Sequence, residues 1–410
     1  MNIRRKDRIV VLGMMTKMPV PGVVWQTMHY LMGLQWLGYD VYYVEAHGRS
    51  PTMFMSHTQD NGSFRAAAFI ERVMHRFGLD GRWAFHALHA DGQCWGMGAS
   101  RLNALYGSAS LLLNLHGGTR PLPENVDRDR IVLIDTDPVE MQLELAAGRP
   151  DAVEFYNAHG HHFTFGENFG RPDCKLPSVP KYPFKPTRQP VVLEFWSAHF
   201  LDAMAPFTTI GNWKQVWRRL KFEGELYHWS KHLEFAKYLD LPARTGQDFE
   251  LALSAFTDED RVLLESHGWR VVNSLEIADN LDSYRQFIFR SRGEFTVAKD
   301  QNIRLRSGWF SDRSATYLAA GRPVITQTTA FESILPEGRG LLAFSNLEEA
   351  VAAVDAVNAD YVGHSQAAAR VAREYFSHDV VLPALLDRSG LAPRRPSLRL
   401  PASARKEMRA

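Results

Sequence analysis

The chain has 410 residues, 45% hydrophobic and 23% charged, with 47 Lys plus Arg against 46 Asp plus Glu. At ~100–200 residues per domain, this length predicts two globular domains, each able to bury its own core. The near-neutral balance argues against a nucleic-acid partner, which requires a broad basic face, and two cysteines, Cys94 and Cys174, are too few for a disulfide framework, a Cys-rich zinc site or an iron–sulfur site.

The charge is unevenly placed. Residues 391–410 hold Arg394, Arg395, Arg399, Arg405, Lys406 and Arg409 against Glu407, so the chain's net +1 less this tail's +5 leaves −4 over the rest. The tail is expected to be flexible and dispensable. No run of ~18 apolar residues predicts a membrane span. The apolar run 9–15 comes after a basic start but is short and lacks a small-residue cleavage pattern. A cytoplasmic protein is expected.

Taken in order, 9–13 is a short apolar run that reads as a buried parallel strand, with a Pro/Gly loop after it at 17–22. Helical spacing over 23–37, closed by Gly38, and a second strand at 40–45 complete the opening of a Rossmann-like half. Helices are expected at 66–77, 99–106 and 139–147, and strands at 110–115 and 130–135. Six prolines within 170–190 break the alternation and mark a boundary loop. A second alternation begins beyond it. Strands are expected at 191–196, 207–210, 249–254, 270–273, 294–298 and 323–326, and helices at 230–239, 258–267, 282–291, 312–320 and 346–356. A long terminal helix over 362–375 breaks and resumes at 380–386, as a helix crossing back to the first domain would. The fold class is therefore α/β, two Rossmann-like domains facing across a cleft. The expected divisions are 1–185, 186–375, a crossing-back helix at 376–390 and the basic tail at 391–410.

The segment 307–327 carries the strongest signal. Ser311 or Asp312 is placed to cap a helix whose N–H groups and dipole would hold a diphosphate. Arg313 adds a charge, Gly321 and Pro323 end the helix, and the strand after it delivers Gln327 to the same edge. Thr209, Gly211 and Asn212 come at the end of a predicted strand, where glycine allows close backbone approach. His228 and Lys231 are candidate phosphate contacts, and Trp229 reads equally as a sugar platform or as packing. Ser274 closes a later strand. In the first half, Gly22 and Trp25 begin a helix beside the cleft. His116, before two glycines, is a candidate general base. Asp137 is a second candidate and equally a helix start. His161 and Glu167 are candidate acceptor contacts. With His159 and His162 they also suggest zinc, but adjacent histidines on a strand point to opposite faces.

The stretch Ala319-Ala-Gly-Arg-Pro-Val-Ile resembles the Ala-x-Gly-x-Pro-Val-Val signature of the donor domain of GT-B glycosyltransferases, and 331–350 resembles the next segment of that domain. The likeness is best over 290–390 and is nearest the spore-maturation-type branch. It implies a nucleotide-sugar donor in the second domain and a small-molecule or glycan acceptor in the first. One departure stands out. Many retaining members carry glutamates where this chain has Thr316 and Gly308, so the two-glutamate donor clamp is absent. Asp135-Thr-Asp137 resembles a metal motif of a different glycosyltransferase fold, and no metal or other cofactor is expected here. The reading is metal-independent glycosyl transfer. A nucleotide-sugar epimerase on the same fold, or an inactive nucleotide-sugar-binding subunit, is the alternative.

Overall fold

A computed structural model of the chain describes residues 7–197 and 204–393. The first sheet contains β1 (Arg8–Leu12), β2 (Asp40–Ala46), β3 (Trp83–His86), β4 (Cys94–Gly96), β5 (Leu111–Leu115), β6 (Ile131–Asp135), β7 (His161–Thr164) and β8 (Phe184–Pro186). Their order is β4-β3-β2-β1-β5-β6-β7-β8, parallel except for the edge pair β3–β4. The central strands are buried along their length because helices cover both faces, which is why they read as unbroken apolar runs.

The second sheet begins with β9 (Phe207–Asn212). A hairpin then projects from it, β10 (Arg219–Phe222) and β11 (Glu225–His228), and the sheet continues with β12 (Phe249–Ser254), β13 (Trp269–Asn273), β14 (Gly293–Thr296), β15 (Val324–Gln327) and β16 (Leu341–Phe344). Its order is β13-β12-β9-β14-β15-β16, all parallel. Strand order reverses between β1 and β5 in one sheet and between β9 and β14 in the other. Crevices outside the carboxyl ends of strands lie at such switch points, and the loops after β1 and β9 meet there.

Two expectations are corrected. Residues 191–196 form no strand; Leu193–Trp196 is a 3-10 turn buried at the domain seam. There Trp196 donates Nε1–H to His29 Nε2 at 2.9 Å and packs 5.3 Å from Trp25. Its apolar run is buried by tertiary packing, not by pairing in a sheet. The helix expected at 230–239 is broken into His232–Phe235 and a 3-10 turn, with Ser230 turned back to accept from Gln215 N–H at 2.6 Å. The hairpin β10–β11 has no counterpart among the elements expected from the sequence.

The terminal helix ends in a π-turn at Ala372–Phe376 and resumes as His378–Arg388. This last helix crosses back onto helix Pro21–Trp36 of the first domain. A Cβ at Gly33 would meet Leu382 and His378 at 2.7 and 2.8 Å, so glycine is what lets the two helices touch. Of the basic tail, residues 394–410 lie outside the described residues. Among the described residues, no helix is long and apolar enough to cross a membrane.

Candidate active site

A cavity of about 390 Å³ opens between the carboxyl ends of the two sheets. The first domain supplies the loop Met18–Gly22, the first turn of helix Pro21–Trp36, and Thr136 and Asp137 after β6. The second supplies the ends of β9, β12 and β13, the segment 229–231, Lys299, and the start of helix Asp312–Ala319.

Of the sequence candidates, Gly22, Asp137, Gly211, Asn212, Lys231, Ser274, Ser311, Asp312 and Arg313 line this cavity. Ser311 makes no side-chain cap, and it lines the cleft together with Asp312 and Arg313 of the first turn. Arg313 is fixed from three sides. Its Nε donates to Glu294 at 2.5 Å, Nη1 to the Ile210 carbonyl at 2.6 Å and Nη2 to Thr296 Oγ1 at 3.1 Å. Glu294 is fully buried, and this pair anchors the guanidinium at the end of β9. A Cβ at Gly211 would sit 3.5 Å from Arg313 Nη1, an ordinary contact. Glycine there leaves room at the cleft but relieves no clash. Burial pushes the Asp312 carboxyl above its usual range, against Arg313 and the N–H groups of 312 and 313, which lower it. Burial, then the Arg313 charge, drives the Lys231 ammonium well below its ordinary value.

The other candidates lie elsewhere. His116 does not reach the cavity. Its Nδ1 sits 2.7 Å from Thr136 Oγ1, on the far side of the 135–137 strand end, and burial lowers it to about 4. Thr209 is buried behind Glu294 and Thr296. The His228 backbone N–H, at the end of the hairpin, is tied to Asp300 at 2.9 Å. Gln327 is buried and donates to Glu234 at 2.7 Å. Trp25 is core, its Nε1–H bonded to the Leu281 carbonyl across the domain seam at 3.1 Å. His161 Nδ1 is 3.3 Å from Lys185 Nζ at the start of β7, and Glu167 pairs with Arg188 at 2.6 Å. His159 Nδ1 is 2.8 Å from the Phe155 carbonyl and His162 Nε2 2.9 Å from that of Tyr156, so these histidines are spent on separate backbone partners.

Three cleft residues escape sequence reasoning. Lys299 extends from the end of β14 to Asp137 across the cleft, at 2.5 Å. Arg218 pairs with Glu140 of the first domain at 2.6 Å. Both cations stand over the Trp229 ring, at 3.7 and 3.4 Å from its centroid. Trp229 is 6% exposed, so its ring holds these cations and offers no free face to a sugar. Tyr284 is the third, with its hydroxyl against Gly22. The position of Lys299, one loop past a strand of the second sheet, is the one signal that points to it.

The absent glutamates also have a structural reason. Gly308 has φ +76°, and a Cβ there would collide with the backbone nitrogen of Asn168 in the first domain. No side chain fits, because 166–168 and 306–309 run together as a backbone strip between the domains. Thr316 Oγ1 bonds back to the Arg313 carbonyl at 2.6 Å.

Two parallel sheets with facing carboxyl edges, and a last helix returned to the first domain, define the GT-B architecture. No family model matches the sequence, and no curated protein matches it. Solved structures do match. The chain is similar to an alpha-glucosyltransferase in complex with UDP and a 13-mer DNA, with a TM-score of 0.59 and 10% identity, over 94% of this chain and 100% of that one. It is also similar to sucrose-phosphate synthase from Thermosynechococcus elongatus, with a TM-score of 0.51 and 10% identity, over 93% and 98%. A third match is a trehalose-6-phosphate protein from E. coli bound with UDP-2-fluoro glucose, with a TM-score of 0.50 and 13% identity, over 95% and 100%. At these identities the likeness establishes the fold.

Proposed function

We propose that the chain is a glycosyltransferase that moves a sugar from a nucleoside diphosphate sugar to an acceptor hydroxyl. The observation that carries this is the convergence of Lys231, Lys299, Arg313 and the start of helix Asp312–Ala319 on one cavity between the domains. Such a set neutralises a diphosphate and stabilises it as a leaving group. The cations then do the work a divalent ion does elsewhere, which makes the reaction metal-independent. UDP and UDP-sugars bound to the similar solved structures support the donor class. The 319–325 motif supports a place near the spore-maturation-type branch.

Asp137 is the general base in this reading. It faces the cleft from the first domain, and its Oδ1 is buried without a partner while Oδ2 holds Lys299. A donor diphosphate competes for Lys299 and releases the carboxylate toward the acceptor hydroxyl. His116 stands outside the cavity and is set aside as the base. The net −4 of residues 1–390 favours an uncharged acceptor over a nucleic acid. The test is release of UDP from UDP-glucose and other donors, with and without sugar acceptors. Asp137→Asn is expected to keep UDP binding and lose about 10²–10⁴ in rate. A variant that turns over like the parent removes Asp137 from the mechanism.

A further inference from the structure

Register in the hairpin β10–β11 pairs Arg219 with His228. One step further along, the Trp229 backbone N–H donates to the Arg218 carbonyl at 3.3 Å. Arg218 and Trp229 are therefore cross-strand neighbours on one face of the ladder. The hairpin is also pinned to helix Asp300–Arg304, which begins right after Lys299. The His228 N–H donates to Asp300 at 2.9 Å, Arg304 donates to the Leu226 carbonyl at 2.8 Å, and Arg304 pairs with Glu225 at 2.7 Å. Two separate stretches of chain thus bring a guanidinium and an ammonium to one indole.

Arg218 Cζ is 3.4 Å and Lys299 Nζ 3.7 Å from the Trp229 ring centroid. At that range each stands over a face, because an approach in the ring plane would run into the ring's own atoms. On a single face the two cations would collide, so they take opposite faces. The result is a stack in the order Asp137, Lys299, Trp229, Arg218, Glu140, with a first-domain carboxylate holding each end. Trp229, Arg218, Lys299 and Asp137 all line the main cavity.

An aromatic face attracts a cation through its quadrupole and brings no charge of its own. It orients the cation without neutralising it, whereas a carboxylate holds a cation and cancels it. The lysine stem is flexible, and burial disfavours the Lys299 ammonium while Asp137 favours it. Support from the ring therefore matters most when Asp137 lets go.

We propose that Trp229 is a positioning residue for the donor: it keeps Lys299 and Arg218 at the cavity wall while their first-domain carboxylates give way to a diphosphate. The role rests on the donor reading of the cleft.

The test is calorimetric titration of the full chain with UDP, or with whichever nucleoside diphosphate the parent binds best. Trp229→Leu and Trp229→Phe are each made in the parent and in the double variant Lys299→Met, Arg218→Met. In the parent, Trp229→Leu is expected to weaken binding about tenfold, and Trp229→Phe, which keeps a weaker aromatic face, by less. With both cations removed, the same substitutions are expected to change affinity by less than about twofold. A role in packing alone would carry the same loss into both backgrounds. If the double variant binds too weakly to titrate, Lys299→Met alone serves, and the loss on Trp229→Leu is expected to be at least about threefold smaller there than in the parent. The Phe variant suffices if the Leu variant does not fold. Parental affinity in Trp229→Leu, or an equal loss with and without the cations, would overturn the proposal. A parent that binds UDP and weakens in Lys299→Met but not in Trp229→Leu would sink this proposal alone. A parent that binds no nucleoside diphosphate would remove the donor reading and the proposal with it.

Discussion

Lys299 and Asp137 face each other across the interdomain cleft, Nζ to Oδ2 at 2.5 Å, with Trp229 against the ammonium. The lysine belongs to the second domain and the aspartate to the first, so one ion pair links the proposed donor side of the cleft to the proposed acceptor side.

Lys299→Met keeps most of the side-chain volume and removes the charge. Loss of a charge-assisted contact to a diphosphate is worth about 1.5–3 kcal/mol. UDP affinity is therefore expected to fall about 10–100-fold, with a melting temperature close to the parent's. Parental UDP affinity would place the lysine outside the donor site.

Arg313 has two jobs that a single substitution confounds. Its guanidinium faces the cleft and also neutralises Glu294, which is fully buried. Arg313→Ala is expected to cost about 3–5 kcal/mol, because it strands a buried carboxylate. The double variant Arg313→Met, Glu294→Gln is expected to recover most of that stability and still bind UDP weakly. Urea unfolding and UDP titration of both variants separate the two jobs.

Gly308→Ala tests the interdomain strip. The substitution meets the Asn168 backbone and forces a left-handed alanine, so about 2 kcal/mol or more should be lost. An unchanged urea midpoint would mean that 168 and 308 part freely.

Acid should destabilise the fold chiefly through its buried histidines. Burial lowers His29 to about 3 and His116 and His159 to about 4, against 6.5 unfolded. The unfolded chain takes up these protons first, so stability falls as the pH drops below ~6.5. Asp135 opposes this. Burial raises it to about 6, so the native state is the first to protonate it. Three groups against one, at ~1.4 kcal/mol per pH unit each, give a net loss of about 2–3 kcal/mol per unit between roughly pH 5.5 and 4.5. Equilibrium unfolding at pH 7, 5.5 and 4.5 measures it; a flat profile would contradict the burial of these rings.

Much of the fold is legible in the sequence where the physics is local. Apolar runs closed by glycine or proline mark β1, β2, β5 and β6, apolar runs also mark β9, β12, β13, β14 and β15 but not β16, and the helix start at Ser311–Arg313 stands out because cap residues are local signals. The features that stay hidden depend on long-range partners. Leu193–Trp196 has strand composition, but Trp25 and His29 bury it as a turn. His116 sits at a strand end, as the cleft rule requires, yet its ring is buried against Thr136 and does not line the main cavity. Lys299 and Arg218 carry no motif; only the folded cleft places them over Trp229.

Nucleoside diphosphate binding in the main cavity is the one property that the whole mechanism requires. Thermal or chemical unfolding of the parent with UDP and other nucleoside diphosphates at 100 times the dissociation constant should show ~2.7 kcal/mol of stabilisation for at least one of them. Lys231→Ala and Lys299→Met should each reduce that stabilisation at the same ligand concentration. No stabilisation by any nucleoside diphosphate, or stabilisation of full size in both variants, would contradict the donor site described for this cleft.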